Sequence, residues 1–293
     1  MKIVERPHID IEKWNQLVGS SEDASVFSRS WYLDATAENW CVLVDDTYTS
    51  GIALPYSTRL GVKKLYTPIF VRYIQWLGVA LDFAMLSDLI KQQFSCIDVS
   101  IKQPVLGADY TPLVYQRIEI NTERKLGSQA KRSLKKAMSN NLEVVRSTDY
   151  TTVESIITDE LVGKYNGINA VSMKALSKLF ELAKAEQACS VYEIKGHGGV
   201  VCISDQSSVL YLKGTVSTSC KHAGGMYACL DLAINEAVLG GKQFDFGGSR
   251  IEGVKRFNHN LGGKDVTYFG YTFDNAPIWF KLARRIKDRW IKK

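Results

Sequence analysis

The chain has 293 residues, of which 45% are hydrophobic, and it carries a formal net charge of +6. This length allows one large domain or two domains of roughly 140 residues, and either can bury a core without disulfides or metals. Only 6 residues are proline, and no Ser/Gly/Pro-rich or Gln/Asn-rich tract is present. The composition therefore argues against long disordered regions.

The sequence shows neither a secretory signal nor a membrane-spanning segment. Its first residues lack the apolar stretch of a signal peptide, and no segment approaches the roughly 18 apolar residues that cross a bilayer. No two cysteines have C-x-x-C spacing, which favours buried free thiols in a reducing compartment. We therefore expect a cytoplasmic protein. The six cysteines are Cys41, Cys96, Cys189, Cys202, Cys220 and Cys229.

The positive charge is concentrated at one end of the sequence. From residue 281 onward there are seven bases and one acid, so this segment alone carries +6, the net charge of the whole chain. The balanced remainder argues against a globally basic nucleic-acid-binding protein, and the segment itself indicates a basic tail. The bases are Lys281, Arg284, Arg285, Lys287, Arg289, Lys292 and Lys293, and the acid is Asp288.

The first predicted elements are strands and one helix. Residues 40–44 and 51–55 are short apolar runs around a polar turn, as in paired strands. Residues 82–94 place Leu86, Leu89 and Ile90 on one stripe and so predict a helix. Residues 96–100 predict another strand, with Asp98 at its centre.

A basic amphipathic helix is predicted next, over residues 128–138. Apolar side chains share one of its faces, and Asn140 and Asn141 end it. A strand over 142–145 and a helix over 173–186 are predicted to follow. The apolar face consists of Ala130, Leu134, Ala137 and Met138, and the bases elsewhere on the helix are Lys131, Arg132, Lys135 and Lys136.

The early pattern then recurs. Strands are predicted over 189–194, 199–203 and 209–213, a helix over 226–239 that ends at a Gly-Gly pair, and a strand over 244–246. Asp98 and Asp245 are 147 residues apart, as are Gly78 and Gly225. Duplication of a strand–strand–helix–strand unit explains these offsets.

The duplication predicts an α/β chain with two tandem domains, each built on a mixed α+β sheet. We expect one domain over residues 1–122 and a basic linker helix over 123–145. A second domain is expected over 146–275, and a basic amphipathic helix over 276–293.

The start of the predicted helix at 226 is a candidate binding site. Gly224 and Gly225 let a ligand approach the backbone closely, and the first-turn amides, including those of Met226 and Tyr227, lack partners within the helix. Such a helix start favours phosphate, for example the pyrophosphate of coenzyme A. The alternative is that the pair is only a turn before a helix.

Residues 244–271 carry a more specific pattern. It begins as an aromatic-Asp-Phe strand with Gly248 and Ser249, continues to Phe257, and closes with a Gly-Gly pair and an aromatic strand. It resembles the FemAB/FemX-type branch of the GNAT (Gcn5-related) acyltransferases, and the resemblance is strongest over 189–271. The matching positions are Phe244, Asp245, Phe246, Gly248, Ser249, Ile251, Gly253, Phe257, Gly262 and Gly263.

The resemblance implies two tandem GNAT-like domains and transfer of an acyl group. GNAT domains bind acyl-CoA at a splayed strand pair and the following helix start, whereas FemAB-type proteins use aminoacyl-tRNA to add amino acids to a cell-wall precursor. Residues 220–225 keep the glycines of the CoA signature R/Q-x-x-G-x-G/A but not its leading Arg/Gln spacing. Both donors therefore remain open.

Five side chains are candidates for the chemistry. Amine attack on a thioester or ester needs proton transfer and donors for the oxyanion. Tyr211 and Asp245 are the catalytic candidates, Lys213 is a donor-binding candidate, and Lys255 and Arg256 are anion-binding candidates. For each, the alternative is a structural or solvated side chain. A metal site is not expected, because Cys220-x-His222 lacks a second ligand pair.

The last predicted helix, from Pro277, has an apolar side opposite its basic face. This pattern suits the surface of a membrane, but also a helix docked on the body of the protein, and its bases would also attract tRNA. The apolar residues are Trp279, Leu282, Ala283, Ile286 and Trp290.

The functional hypothesis is an N-acyltransferase acting on an amine of a cell-envelope precursor or a small molecule. Its donor is acyl-CoA or aminoacyl-tRNA, and no metal is required. The expected location is the cytoplasm, and peripheral contact at the inner membrane face is left open. The alternatives are a non-catalytic GNAT-fold binding protein and a membrane-surface adaptor that uses the last helix.

Overall fold

The computed structural model describes residues 1–79, 83–107, 109–162, 169–248 and 251–291. The predicted motif residue Ser249 and the tail residues Lys292 and Lys293 lie outside these ranges, as do the side chains from residue 287 onward. No described helix is both long and apolar enough to cross a membrane.

The first half of the chain alternates short helices with antiparallel strands. Single turns of 3-10 helix cover Arg6–His8 and Val26–Ser28. The other elements are β1 Lys2–Glu5, α1 Ile11–Ser20, α2 Ser30–Thr36, β2 Asn39–Val44, β3 Ser50–Arg59, β4 Val62–Tyr66, β5 Trp76–Gly78, α3 Phe83–Gln93, β6 Cys96–Ile101 and β7 Thr111–Ile118.

The second half repeats this mixture with longer helices. Its elements are α4 Ser128–Ser139, β8 Val145–Ser147, α5 Thr151–Leu161, α6 Ala170–Ala185, β9 Cys189–Ile194, β10 Gly198–Ser204, β11 Ser208–Val216, α7 Thr218–His222, α8 Gly225–Leu239, β12 Gln243–Asp245, α9 Glu252–Asn260, β13 Lys264–Asp274 and α10 Ile278–Ile291.

The chain folds into two compact units whose boundaries differ from the predicted continuous domains. Unit 1 contains residues 1–22, 37–113 and 268–293, and unit 2 contains residues 23–36 and 114–267. Residues 23–36, from the first half of the sequence, thus belong to unit 2. Most of β13 and all of α10, from the second half, belong to unit 1.

Unit 1 is built on strands in the order β1-β2-β3-β4-β6-β13, with β5 paired to β3. Neighbouring strands in this sheet are antiparallel, except β4 and β6, which run parallel. Leu86 and Ile90 of α3 are buried in its core, which confirms the predicted stripe. The core also contains Leu43, Ile52, Leu54, Leu65 and Phe94.

Unit 2 orders its strands β7-β12-β11-β10-β9-β8, and only the β11–β12 pair is parallel. Val200 and Cys202 pack in one core with α8, and the intervening Val201 on the other face is equally buried. Both faces of this sheet are therefore covered. Three antiparallel strands, a helix and a returning parallel strand occur in each unit, so each contains the strand–strand–helix–strand order that the sequence predicts.

Several local predictions are also confirmed. The basic helix α4 begins at Ser128 and ends before Asn140, and Asn141 has a positive φ of 51°. Helix α8 ends at Gly240, as its C-cap. All six cysteines are buried and free. Burial raises the pKa of the Cys41 thiol to about 12 and that of Cys189 to about 11.

The segment 23–36 is attached to unit 2 by packing and by ion pairs, one of which joins Asp23 to Arg117 at 3.2 Å. Helix α2 contacts α6, and Tyr32 and Leu33 are buried. The Arg29 guanidinium donates to Asp205 at 2.7 Å, and both side chains are mostly buried. Removing one partner would leave the other mostly buried charge without its counter-charge.

We predict that Arg29→Met lowers the free energy of unfolding by about 1–3 kcal/mol, because it strands the buried Asp205 carboxylate. Urea denaturation followed by circular dichroism measures the change. Arg59→Met is the matched control, since its ion pair with Glu38 is exposed and is expected to contribute at most about 1 kcal/mol. Equal losses in the two variants would contradict the anchoring role of Arg29.

Candidate functional site

The pairing of β11 with β12 is short and ends inside the sheet of unit 2. The register pairs Ser208 with Gln243, Val209 with Phe244 and Leu210 with Asp245, and it stops there. Beyond this point the Phe246 amide donates to the Gln116 carbonyl of β7 at 3.1 Å. Within the described ranges, the β11 edge from Tyr211 onward has no strand partner on the β12 side.

A β-bulge lies at the point where this open edge begins. Val201 of β10 pairs with Lys213, whereas the adjacent Cys202 pairs with Tyr211, so Leu212 is the extra residue. Neighbouring residues of a strand point to opposite faces. The bulge therefore places Tyr211 and Lys213 on opposite faces, although their spacing in the sequence predicts one face.

Tyr211 lies on the face covered by α8. It packs against the core that includes Cys202 and Cys229, and its hydroxyl donates to the Gly214 carbonyl at 3.2 Å. Burial raises the pKa of the Tyr211 phenol above its ordinary value. The phenol is therefore protonated at neutral pH and is a hydrogen-bond donor rather than a base.

Lys213 lies on the other face of the sheet. Burial lowers the pKa of its ammonium group, because a charged amine loses hydration there. Within the described part of the chain its ammonium makes no ion pair or hydrogen bond. An amine in this setting gives up its proton more readily than a surface lysine.

Asp245 ends β12 and is only 8% exposed. Its Oδ1 accepts the amide of Gly247 at 2.8 Å. Gly247 has a φ of +77°, and a Cβ on it would lie 2.5 Å from the Tyr211 carbonyl oxygen. Asp245 thus holds the chain after β12 in a turn that only glycine fits, directly beside the open edge of β11.

The glycine pair at the start of α8 serves close packing of helices. Gly224 has a φ of +95°, and a Cβ on it would collide with the Ser133 carbonyl of α4. A Cβ on Gly225 would collide with the Cys220 sulfur. The Gly224 amide donates to the Lys221 carbonyl at 3.2 Å. The atoms that lie close to these glycines therefore belong to the protein itself, to α4 beside Gly224 and to Cys220 beside Gly225.

The next two residues of α8 remain closer to solvent. Met226 and Tyr227 are half-buried, and their amides donate to no acceptor in the described ranges. The Tyr227 ring packs on Phe257 of α9, with centroids 4.6 Å apart. Tyr211, Met226, Tyr227 and Phe257 all pack against the same core, so α8 starts beside the face that carries Tyr211.

The two anion-binding candidates on α9 differ in environment. The Lys255 ammonium lies 3.1 Å from Asp265 Oδ2, so a carboxylate already neutralises it. Arg256 is exposed, and its guanidinium has no partner within the described residues. Arg256 is thus the more available cation of the pair.

Asp265 is the centre of a polar cluster that the sequence did not reveal. Its Oδ1 accepts from Gln116 at 2.8 Å and lies 2.8 Å from His259 Nε2. Gln116 in turn accepts from the fully buried Asn258. Burial raises the pKa of Asp265, but hydrogen bonds from Gln116, His259 and Lys255 outweigh it and lower the pKa to about 2.

Metal ligation finds no support in the described residues, which contain no group of three or more His, Cys, Asp or Glu side chains able to hold an ion. Cys220 faces the glycine pair, and its thiol has a pKa raised by burial.

The two units together define a tandem GNAT-like fold. Each has the antiparallel strands, helix and returning parallel strand described above, and in unit 2 the parallel pair separates next to a helix start. The predicted fold class and the resemblance to FemX-type proteins are confirmed at the level of the fold.

Solved structures with this fold include FemX, at 11% identity, 96% coverage of this chain, 100% of that chain and a TM-score of 0.64. L-PGS from Bacillus licheniformis has 9% identity, coverages of 94% and 95%, and a TM-score of 0.58. The C-terminal domain of an Agrobacterium fabrum protein named as a lysylphosphatidylglycerol synthetase has 11% identity, coverages of 94% and 95%, and a TM-score of 0.55. By sequence, no family model and no curated protein matches the chain.

We predict that Asp265→Asn makes stability less dependent on pH in acid. The folded pKa of about 2 lies below the ordinary value of 3.8. The carboxylate therefore stabilises the fold above pH of about 4, and this contribution disappears as the pH falls towards 2. Urea denaturation at several pH values measures the slope. Asp159→Asn, an exposed change on α5, is the control, and an unchanged slope in Asp265→Asn would contradict the cluster's role.

We also predict that Gly224→Ala destabilises the protein more than Gly241→Ala. Both glycines have positive φ, so each change costs about 1–2 kcal/mol of backbone strain. Only at Gly224 does the new Cβ meet another backbone, that of α4, whereas no atom lies within 4 Å of a Cβ on Gly241. Thermal unfolding of the two variants isolates this contact. Equal melting temperatures would show that α4 does not pack closely on α8.

Proposed function

We propose that unit 2 transfers an acyl or aminoacyl group to an amine, with acyl-CoA or aminoacyl-tRNA as donor. The acceptor is an amine of a cell-envelope precursor or of a small molecule. The observation that carries the proposal is the early end of the β11–β12 pairing beside the start of α8. The resemblance to GNAT-like proteins places the acyl donor at a splayed strand pair next to a helix start.

The open edge of β11 supplies the means to hold an acyl group. Within the described ranges its backbone groups after Tyr211 lack a strand partner on one side, so an extended donor can pair with them as an added strand does. The amides of Met226 and Tyr227, which donate to no acceptor in the described ranges, lie at the positive end of the α8 dipole. They are suited to a phosphate of the donor.

Tyr211 is the proposed proton donor. When the acceptor amine attacks the carbonyl carbon, a carbon–nitrogen bond forms and the bond to sulfur or to the ribose oxygen breaks. The departing thiolate or alkoxide needs a proton, and the amine loses one. A protonated phenol beside the open edge can supply the proton that the leaving group needs. General acid catalysis of this kind raises the rate by about 10²–10⁴-fold.

The other candidates take supporting roles in this proposal. Asp245 positions the turn after β12 through the Gly247 amide, directly beside the Tyr211 carbonyl. Lys213, with its lowered pKa, is a base for an amine that approaches the opposite face of the sheet. Arg256 and the neighbouring Lys255 offer positive charge to an anionic donor or acceptor.

The basic helix α4 favours aminoacyl-tRNA as the donor. It packs against the start of α8 through the Ser133 carbonyl, and Lys131, Lys135 and Lys136 are exposed and make no ion pair in the described ranges. Free cations beside a phosphate-binding helix start attract a polyanion more than a small thioester. An Agrobacterium fabrum structure with the same fold is named as a lysylphosphatidylglycerol synthetase, and that name is consistent with an acceptor at the cell envelope.

Two binding experiments separate the donors. Calorimetry with several acyl-CoAs tests acyl-CoA as the donor. Filter binding with total charged tRNA at low and physiological salt tests aminoacyl-tRNA. Tight, salt-dependent tRNA binding without heat from acyl-CoA would support aminoacyl transfer. Binding of neither donor would contradict the proposal.

We predict that Tyr211→Phe lowers the rate of transfer by about 10²–10⁴-fold while donor binding persists, because only the acid is removed. Transfer of labelled amino acid or acyl group to added amines measures the rate. The matched control is Tyr192→Phe, which deletes a hydroxyl bonded to Glu236 in the same unit but away from the open edge. An equal loss of rate in both variants would assign the effect to folding rather than to chemistry.

A further inference from the structure

Helix α10 is held on unit 1 by residues outside its apolar stripe. Phe280 packs against a small core made of Val62, Cys96 and Ala276. Arg284 donates to Asp274 at 2.6 Å. These contacts fix one side of the helix, so the remaining sides are free to face something else.

The apolar stripe of α10 is left uncovered. Trp279 is 52% exposed, Leu282 52% and Ile286 59%. Their spacing of three and then four residues places them on one face of the helix. Ile278, at the helix start, is exposed as well. These side chains of the stripe therefore do not dock on the protein, which was the alternative.

Positive charge surrounds this exposed stripe. Arg285 follows Leu282 by one turn, is exposed, and makes no ion pair within the described ranges. Lys281 and Arg284 share the single carboxylate of Asp274. The segment from residue 281 onward carries seven bases and one acid, a charge of +6. The helix therefore combines an apolar face with an excess of cations.

We propose that α10 lies in the surface of an anionic membrane, with Trp279, Leu282 and Ile286 inserted among the lipids. A tryptophan and aliphatic side chains opposite Lys and Arg are the chemistry of in-plane helices. The 14 described residues of α10 give an in-plane helix a length of about 21 Å.

The charge of α10 distinguishes this occupant from others. A second copy of the chain would bring a like-charged helix against the stripe, which repels. A nucleic acid would use the cations but would leave three large apolar side chains in water. An anionic lipid surface satisfies both the cations and the stripe at once.

The test is sedimentation of the full chain with vesicles of phosphatidylglycerol and phosphatidylcholine, against vesicles of phosphatidylcholine alone. We expect binding to the anionic vesicles and about tenfold or greater weakening in the double variant Trp279→Ser, Leu282→Ser, because less apolar area is buried. Arg285→Gln should weaken binding to the anionic vesicles about fivefold. Leu239→Ser, an exposed leucine at the end of α8, is the control and should bind as the unaltered protein does.

Three outcomes would overturn the proposal. They are absence of binding to anionic vesicles, equal binding by the double variant, and binding that Leu239→Ser reduces equally. Sedimentation velocity without lipid adds a further check. A dimer that the double variant abolishes, together with no vesicle binding, would assign the stripe to contact between copies instead.

Discussion

The parallel pairing of β11 with β12 ends after only three residue pairs, and the chemistry proposed for unit 2 depends on that ending. A strand edge without a partner leaves backbone donors and acceptors unused, which costs free energy unless water or a ligand satisfies them. The bulge at Leu212, in the pairing of β11 with β10, changes which side chains face α8. The turn at Gly247 keeps the chain after β12 beside Tyr211.

The close packing of α4 on α8 gives the glycine pair a purpose that its sequence pattern does not show. Glycines before a helix suggest a ligand near the backbone, but here the Ser133 carbonyl occupies the space that a Cβ on Gly224 would need. The same contact places the basic helix α4 against the start of α8, so the packing requirement and the proposed donor site involve the same pair of helices.

Much of the fold follows from local patterns, whereas the site depends on pairings that no local pattern records. The 3.6-residue periods of α3, α4 and α8 and the repeated element order predict the elements and the duplication. The bulge at Leu212 depends on the register between strands. The Asp265 cluster joins Gln116 to a residue 149 positions later. One of the contacts that attach residues 23–36 to unit 2 joins Arg29 to Asp205, 176 positions away. Neither the Asp265 cluster nor this ion pair has a local signal in the sequence.

The exposure of α10 shows why an amphipathic pattern alone does not decide what a helix touches. Its apolar stripe predicts equally a docked helix and a helix at a surface, because both bury one face. Phe280 lies outside the stripe and makes the contact with unit 1, while Arg284 adds an ion pair on Asp274. Once these two side chains fix the rotation of the helix, the stripe cannot also face the protein. A single off-stripe aromatic residue therefore separates the two alternatives.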